Sequence, residues 1–225
     1  MRELKAYPDR DLLMLGLADA LAGELAAALR SRETASFCVP GGTTPGPLFD
    51  ILSAVELDWA RVRVVLNDER WVPESDPRSN TAMVKARLFT GFAAAAEWLP
   101  LYSRAAETPG AAAEALSQGL EPHLPLDVLL LGMGEDLHTA SLFPGDPDLA
   151  QALAPTARAV EPARQPGSGE ARVTLSARVL GGALSKHILI TGEQKRAALV
   201  RVQDLAQDAA PIRAVWSEAV VHWAV

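Results

Sequence analysis

Leu126-Asp127-Val128-Leu129-Leu130-Leu131-Gly132-Met133-Gly134-Glu135-Asp136-Leu137-His138 is an apolar run that breaks on two glycines and then presents a carboxylate and an imidazole two residues apart. The run Leu126 to Leu131 reads as a strand buried on both faces, the pattern of a parallel sheet in an α/β protein. The glycines after it permit a sharp turn at the strand's carboxyl end, where open α/β sheets place their ligands. In an extended or turn segment, residues i and i+2 point to the same side. Asp136 can then hold one ring nitrogen of His138 and leave the other as a base.

The alternation extends in both directions. Upstream, a short strand is expected around Leu4 to Tyr7. Asp9 or Asp11 then caps a helix whose Leu12, Leu15, Leu21, Leu25 and Leu29 recur near helical spacing. Ala35 to Val39 reads as a strand ending in Pro40-Gly41-Gly42-Thr43-Thr44-Pro45-Gly46, followed by a helix over Pro47 to Ala54. Arg61 to Leu66 reads as another strand, with Asn67-Asp68-Glu69-Arg70-Trp71-Val72-Pro73 at its exit. Ser79 or Asn80 caps a helix running through Leu88, and Ala105 to Leu120 reads as a further helix.

Downstream, a helix is expected near Pro147 to Leu153 and a loop around Pro162 to Glu170. A short strand over Arg172 to Ser176 follows, with Ser176 capping the next helix. Lys186 to Thr191 reads as a strand and Glu193 to Leu205 as a helix, with Ile212 to Trp216 and Val220 to Ala224 as final strands. The expected architecture is a mostly parallel sheet with helices on both faces, a three-layer, modified Rossmann-like α/β fold in a single domain over residues 1–225.

The 225 residues are 49% apolar, enough to fill one large core, and carry a formal charge of -7. That charge argues against nucleic acid or an anionic membrane as the main partner, so an anionic ligand must find a local basic pocket. Cys38 is the sole cysteine, which excludes an intrachain disulfide and a thiolate metal cluster and suits a reducing cytoplasm. Met1 to Tyr7 holds no apolar stretch of signal-peptide length, and Asp19 and Glu24 interrupt Leu12 to Leu29. The expectation is a cytoplasmic protein without a transmembrane span.

Gly41-Gly42-Thr43-Thr44 suits phosphate, because small residues expose backbone N–H groups beside a helix start and the threonines add hydroxyl donors. It lacks a Walker lysine and its spacing is not a dinucleotide fingerprint. Gly132-Met133-Gly134 is likewise no fingerprint, since Leu137 stands where the third glycine belongs. Asp68-Glu69-Arg70 reads either as a solvated charge run or, after a buried strand, as a cleft cluster. In the cleft, Asp68 orients or accepts a proton and Arg70 holds an oxyanion or phosphate. Arg172 and Lys195 are surface cations or anion contacts at strand ends. His123, His187 and His222 supply no zinc-binding spacing, so no metal is expected.

Four blocks together resemble the 6-phosphogluconolactonase family over nearly the whole chain. They are Pro40 to Pro45; Asp68 to Pro73 with Ser79-Asn80; Gly132 to Pro144; and Arg172-Val173-Thr174-Leu175 with Gly192 and Lys195. The resemblance implies hydrolysis of 6-phospho-D-glucono-1,5-lactone to 6-phosphogluconate in the oxidative pentose phosphate pathway, without cofactor or metal. It implies His138 as general base held by Asp136, with Arg70 answering charge on the opening ring and Asp68 positioning Arg70 or the substrate. Gly41, Gly42, Thr43, Thr44, Asn80, Arg172 and Lys195 would surround the substrate and its phosphate. The implied partner is the small sugar-phosphate lactone, and a monomer or small homo-oligomer is expected. The chain departs from the family at Leu137, where the family usually has glycine and where leucine disfavours positive φ. Two alternatives are a glucosamine-6-phosphate deaminase/isomerase, which carries a glutamate where this chain has Phe143, and a non-catalytic sugar-phosphate sensor.

Overall fold

The computed structural model describes Met1 and residues 3–225. The strands are β1 (Glu3–Ala6), β2 (Ala35–Val39), β3 (Val62–Leu66), β4 (Asp68–Arg70), β5 (Glu97–Leu99), β6 (Val128–Gly132), β7 (Val160–Arg164), β8 (Ala171–Leu175), β9 (Ser185–Thr191) and β10 (Val220–Ala224). The helices are α1 (Arg10–Ser31), α2 (Gly46–Ser53), α3 (Asn80–Leu88), α4 (Pro109–Leu120), α5 (Leu149–Leu153), α6 (Ala177–Gly181), α7 (Glu193–Arg201) and α8 (Arg213–Trp216).

Seven strands form one sheet in the order β1-β10-β9-β6-β2-β3-β5, with every pairing parallel. Successive residues of a strand face opposite sides, yet all of Ala35–Val39 and Val128 to Leu131 are buried, so helices and loops cover both faces. Asp9 caps α1 by accepting from the Leu12 N–H at 2.8 Å. Leu13, Leu17, Leu21 and Leu25 of that helix are 0% exposed, which makes it a core helix despite its length and apolar content.

β2 and β6 are neighbours inside the sheet, with other strands beyond each of them. The chain leaving β2 runs on to β3 and β5, and the chain leaving β6 runs the other way to β9 and β10. The two carboxyl ends therefore diverge and leave a crevice. At the amino end the pair is closed by Asp127, which accepts from the Ser36 N–H at 2.8 Å and Oγ at 3.0 Å. At the carboxyl end Asn67 donates its backbone N–H to Val39 at 2.9 Å and its amide to the Leu130 carbonyl at 3.3 Å, tying the exit of β3 to both strands.

A second, antiparallel sheet in the order β4-β8-β7 lies outside the sequence-based expectation. Its existence corrects the loop expected from Pro162, because Pro162 to Arg164 belong to β7. β7 is an edge strand, where a proline lacking its N–H removes no ladder bond. Ile212 to Trp216 is not a strand: the turn at Pro211 starts a helical segment, and Ala214 and Val215 donate to the carbonyls three residues back. Its apolar residues Ile212, Val215 and Trp216 are buried at helical, not alternate, spacing. Two helices are also shorter than expected. α4 starts at Pro109 behind a Thr108 cap that accepts from Ala111 at 3.2 Å, and α7 ends at Arg201 with a tight 3₁₀ turn over Val202–Asp204. Ser176 precedes α6 but its hydroxyl makes no capping bond.

His187 and His222 lie on adjacent strands in a buried chain of hydrogen bonds. Tyr7 Oη meets His222 Nδ1 at 2.9 Å, His222 Nε2 meets His187 Nδ1 at 2.9 Å, and His187 Nε2 meets Glu24 at 2.8 Å. Burial, and then the charges of His187 and Lys5, push the His222 imidazole down to about 3. Above pH ~6.5 the residue is neutral folded or unfolded and contributes no pH dependence. On acidification the unfolded chain takes up the proton first, so the native state loses stability as pH falls from ~6.5 toward 3. The loss is a few kcal/mol in all, because each tenfold difference in proton affinity between the two states is worth about 1.4 kcal/mol. Urea midpoints measured from pH 7 to pH 4 are expected to fall more steeply for the native sequence than for His222→Gln; parallel profiles would remove this role.

Candidate active site

The crevice between β2 and β6 is a cleft of about 250 Å³ lined by Gly41, Gly42, Thr44, Asp68, Arg70, Asn80, His138, Arg172 and Lys195. These come from strand exits and helix starts remote from one another in sequence. Thr43 is exposed and lies outside the lining, though its carbonyl accepts from Gly46 at 3.2 Å and shapes the turn. Asp136 also stays outside the lining and touches it through His138.

The turn after β6 is wound tightly: Gly134 donates to the His138 carbonyl and Leu137 to the Gly134 carbonyl, each at 3.0 Å. Leu137 adopts φ 68, a left-handed conformation costing roughly 1–2 kcal/mol for a residue with a Cβ. Its side chain is 1% exposed, and burying a leucine recovers about 1.5–3 kcal/mol. Its carbonyl also accepts from the Ile212 N–H at 3.1 Å, which fastens the turn to the segment before α8. Leucine thus occupies the conformation that glycine would otherwise supply.

With the turn so held, Asp136 Oδ1 lies 2.5 Å from His138 Nδ1 and 3.2 Å from the His138 backbone N–H. The hydrogen bond from the ring, against opposing burial, keeps the Asp136 carboxyl below its ordinary range. The carboxylate therefore persists through mild acid and favours the tautomer with hydrogen on Nδ1. Nε2 has no protein hydrogen-bond partner among the described residues, and the ring packs on Phe143 with centroids 4.8 Å apart.

Across the cleft, Glu69 is the residue that the sequence reading left without a role. It is fully buried and accepts from the backbone N–H groups of Arg70, Asn80 and Thr81 and from the hydroxyls of Ser79 and Thr81. This carboxylate anchors the amino end of α3, which Ser79 caps through the Ala82 N–H at 3.2 Å. Asn80 is thereby fixed: its amide donates to the Asp68 carbonyl at 3.1 Å and its Oδ1 accepts from Arg70 at 2.5 Å. A Cβ on Gly41 would collide with this amide, so glycine is required there for close approach. Asp68 reaches Arg70 through Asn80, while its own carboxylate accepts from Ser141 at 2.6 Å and lies 3.5 Å from Arg172. Ser141, also without a role in the sequence reading, joins the His138 loop to β4.

In the same cleft, Gly41 to Thr44 donate no backbone N–H to a protein acceptor among the described residues. Lys195, in the first turn of α7, forms no ion pair there either. Arg172 is buried and differs from Lys195, being engaged by Asp68, by Gln165 at 2.8 Å and by Glu170 at 2.7 Å. No group of three or more His, Cys, Asp or Glu side chains among the described residues is arranged to hold a metal ion.

Free N–H donors and an unpaired ammonium beside an imidazole with an open nitrogen, all at the switch point of a parallel sheet, are the features of an α/β protein acting on a small anionic ligand. The chain belongs to the family of glucosamine-6-phosphate isomerases/6-phosphogluconolactonase, whose description matches residues 8–223. It is 44% identical to a 6-phosphogluconolactonase of Rhizobium meliloti (strain 1021), over 97% of each chain. It is 41% identical to one of Pseudomonas aeruginosa, covering 92% of this chain and 89% of that one. The crystal structure of a 6-phosphogluconolactonase from Shewanella baltica OS155 superposes with a TM-score of 0.95 at 32% identity, covering 100% of this chain and 98% of the other.

A Cβ added at Gly134 would collide with His138 Nδ1 and with Asp136 Oδ1. Gly134→Ala is therefore expected to open that pair and lower kcat by about 10²-fold or more, with a thermal midpoint close to that of the native sequence. Steady-state kinetics with thermal melts check this; undiminished kcat would show that the pair is dispensable.

Proposed function

We propose that His138 is the general base with which this chain hydrolyses 6-phospho-D-glucono-1,5-lactone to 6-phosphogluconate, a step of the oxidative pentose phosphate pathway. The observation that carries the assignment is the open Nε2 of an imidazole whose Nδ1 is held by Asp136 at the edge of the cleft. Nε2 takes a proton from water as its oxygen attacks the lactone carbonyl carbon. The imidazolium formed is stabilised by the Asp136 carboxylate. As the tetrahedral intermediate collapses, the ring carbon–oxygen bond breaks and the imidazolium returns the proton to the departing ring oxygen. Arg70, held by Asn80, answers negative charge at the reacting end, with Asp68 placed behind it.

The phosphate fits the part of the cleft where Lys195 and the N–H groups of Gly42 and Thr44 lie free, and the hydroxyl of Thr44 adds a donor. An acidic protein of net charge -7 thus offers a local cationic site to a dianionic substrate. Phe143 speaks for this reading over the isomerase. Where the resemblance places a glutamate in isomerases, this chain has an apolar ring against His138, so the second carboxylate for ring opening and proton shuttling is missing.

Stopped-flow detection of proton release from freshly generated lactone, with spontaneous hydrolysis subtracted, tests the assignment. His138→Ala is expected to lower kcat by about 10²–10⁴-fold with folding retained. Lys195→Ala is expected to raise KM about 10–100-fold while leaving kcat nearly unchanged. Native-rate hydrolysis by His138→Ala would overturn the general-base assignment, and an unaltered KM in Lys195→Ala would move the phosphate elsewhere.

A further inference from the structure

Three guanidinium groups converge on one carboxylate at the tip of the β7–β8 hairpin. Glu170 Oε2 accepts from Arg172 at 2.7 Å and lies 3.8 Å from Arg70 Nε, while Oε1 accepts from Arg78 at 3.0 Å. Gln165, on the opposite arm, accepts from the same Arg172 nitrogen at 2.8 Å. The hairpin is closed by the Gln165 N–H donating to the Glu170 carbonyl at 3.0 Å and the Gly169 N–H to the Gln165 carbonyl at 2.9 Å. Arg172 also faces Asp68 at 3.5 Å, and Arg78 pairs with Asp76 at 2.8 Å. Three positive and three negative groups therefore form a charge-balanced, branched net with Glu170 at its hub.

This net meets the cleft beside His138, and Lys195 takes no part in its ion pairs. The Arg172 guanidinium lies over the Phe143 ring at 5.5 Å, and His138 packs on the same ring at 4.8 Å. Arg70 reaches Asn80 at 2.5 Å and the Arg78 carbonyl at 2.8 Å. A long side chain left to itself samples many rotamers, and a carboxylate that binds several of them at once removes that freedom before substrate arrives.

We infer that Glu170 is a positioning residue for lactone hydrolysis, fixing the guanidinium groups of Arg70 and Arg172, and through Arg172 the Asp68 carboxylate, at the reacting end of the cleft. The inference rests on the lactonase reading above. Glu170 acts through the arginines, and Lys195 lies outside the net, so loss of the Glu170 charge disturbs turnover and spares the grip on phosphate.

The test is stopped-flow kinetics of the full chain as Glu170→Gln, Glu170→Asp, Arg172→Gln and the Glu170→Gln/Arg172→Gln double variant, with thermal melts of each. Glu170→Gln is expected to lower kcat on the order of tenfold with KM within about twofold, and Glu170→Asp to recover part of the loss. Added to Arg172→Gln, it is expected to cost little more, since the two act as one unit. Unchanged kcat, an effect confined to KM, or full additivity with Arg172→Gln overturns the inference while the lactonase reading stands. Absence of saturable hydrolysis by the unsubstituted chain overturns both. Should Glu170→Gln fail to fold, Glu170→Asp decides: reduced kcat at native KM supports the positioning role, and native kcat overturns it.

Discussion

The divergence of the chain at the carboxyl ends of β2 and β6 is the constraint on which the rest of the site depends. The two strands are locked at their amino ends by Ser36 and Asp127, so their register leaves no freedom to close the other end. Because their crossovers run in opposite directions, no connection covers the crevice. Much of what lines it is a strand exit, a helix start or a turn, and the Gly41 to Thr44 turn keeps its N–H groups free of protein acceptors among the described residues. The sheet supplies rigidity below and unsatisfied donors above, a combination suited to an anionic ligand.

The second sheet completes the opposite wall. β4 is only three residues long, yet Asp68, Glu69 and Arg70 point in alternating directions and so serve different tasks. Glu69 turns inward and spends its charge on the amino end of α3, while Asp68 and Arg70 face the cleft. A buried carboxylate with five hydrogen-bond donors is well compensated, and removing it would release Asn80 and with it Arg70. The strained turn at Leu137 works similarly on the other wall: local backbone cost is offset by apolar burial and by one carbonyl contact to Ile212, and the product is an oriented imidazole.

Much of this was legible in the sequence because parallel strands announce themselves as continuous apolar runs and their exits as glycine or polar clusters. Leu126 to Leu131, Ala35 to Val39 and the Asp136–His138 spacing are of that kind, and the cleft gathers residues from those exits. The antiparallel sheet was not legible, since β4 looks like a charge run and β7 contains Pro162, and only its edge position makes that proline compatible with a strand. Ile212 to Trp216 misled because β-branched and aromatic residues favour strands until a preceding proline and a buried helical face decide otherwise. The convergence of Arg70 and Arg78 on Glu170 and the anchoring of α3 by Glu69 were illegible for a different reason. They are contacts between residues brought together by the tertiary fold, and composition carries no trace of it.

The general-base role proposed for His138 depends on which of its ring nitrogens carries the proton in the resting protein. Nitrogen-15 and proton correlation spectra of the neutral imidazole, assigned by comparison with His138→Ala, report the tautomer directly. The Asp136 contact predicts hydrogen on Nδ1 and a bare Nε2 facing the cleft, the reverse of the preference of a free imidazole. A His138 ring with hydrogen on Nε2 would contradict the general-base role, because the nitrogen open to water would then be unable to accept a proton.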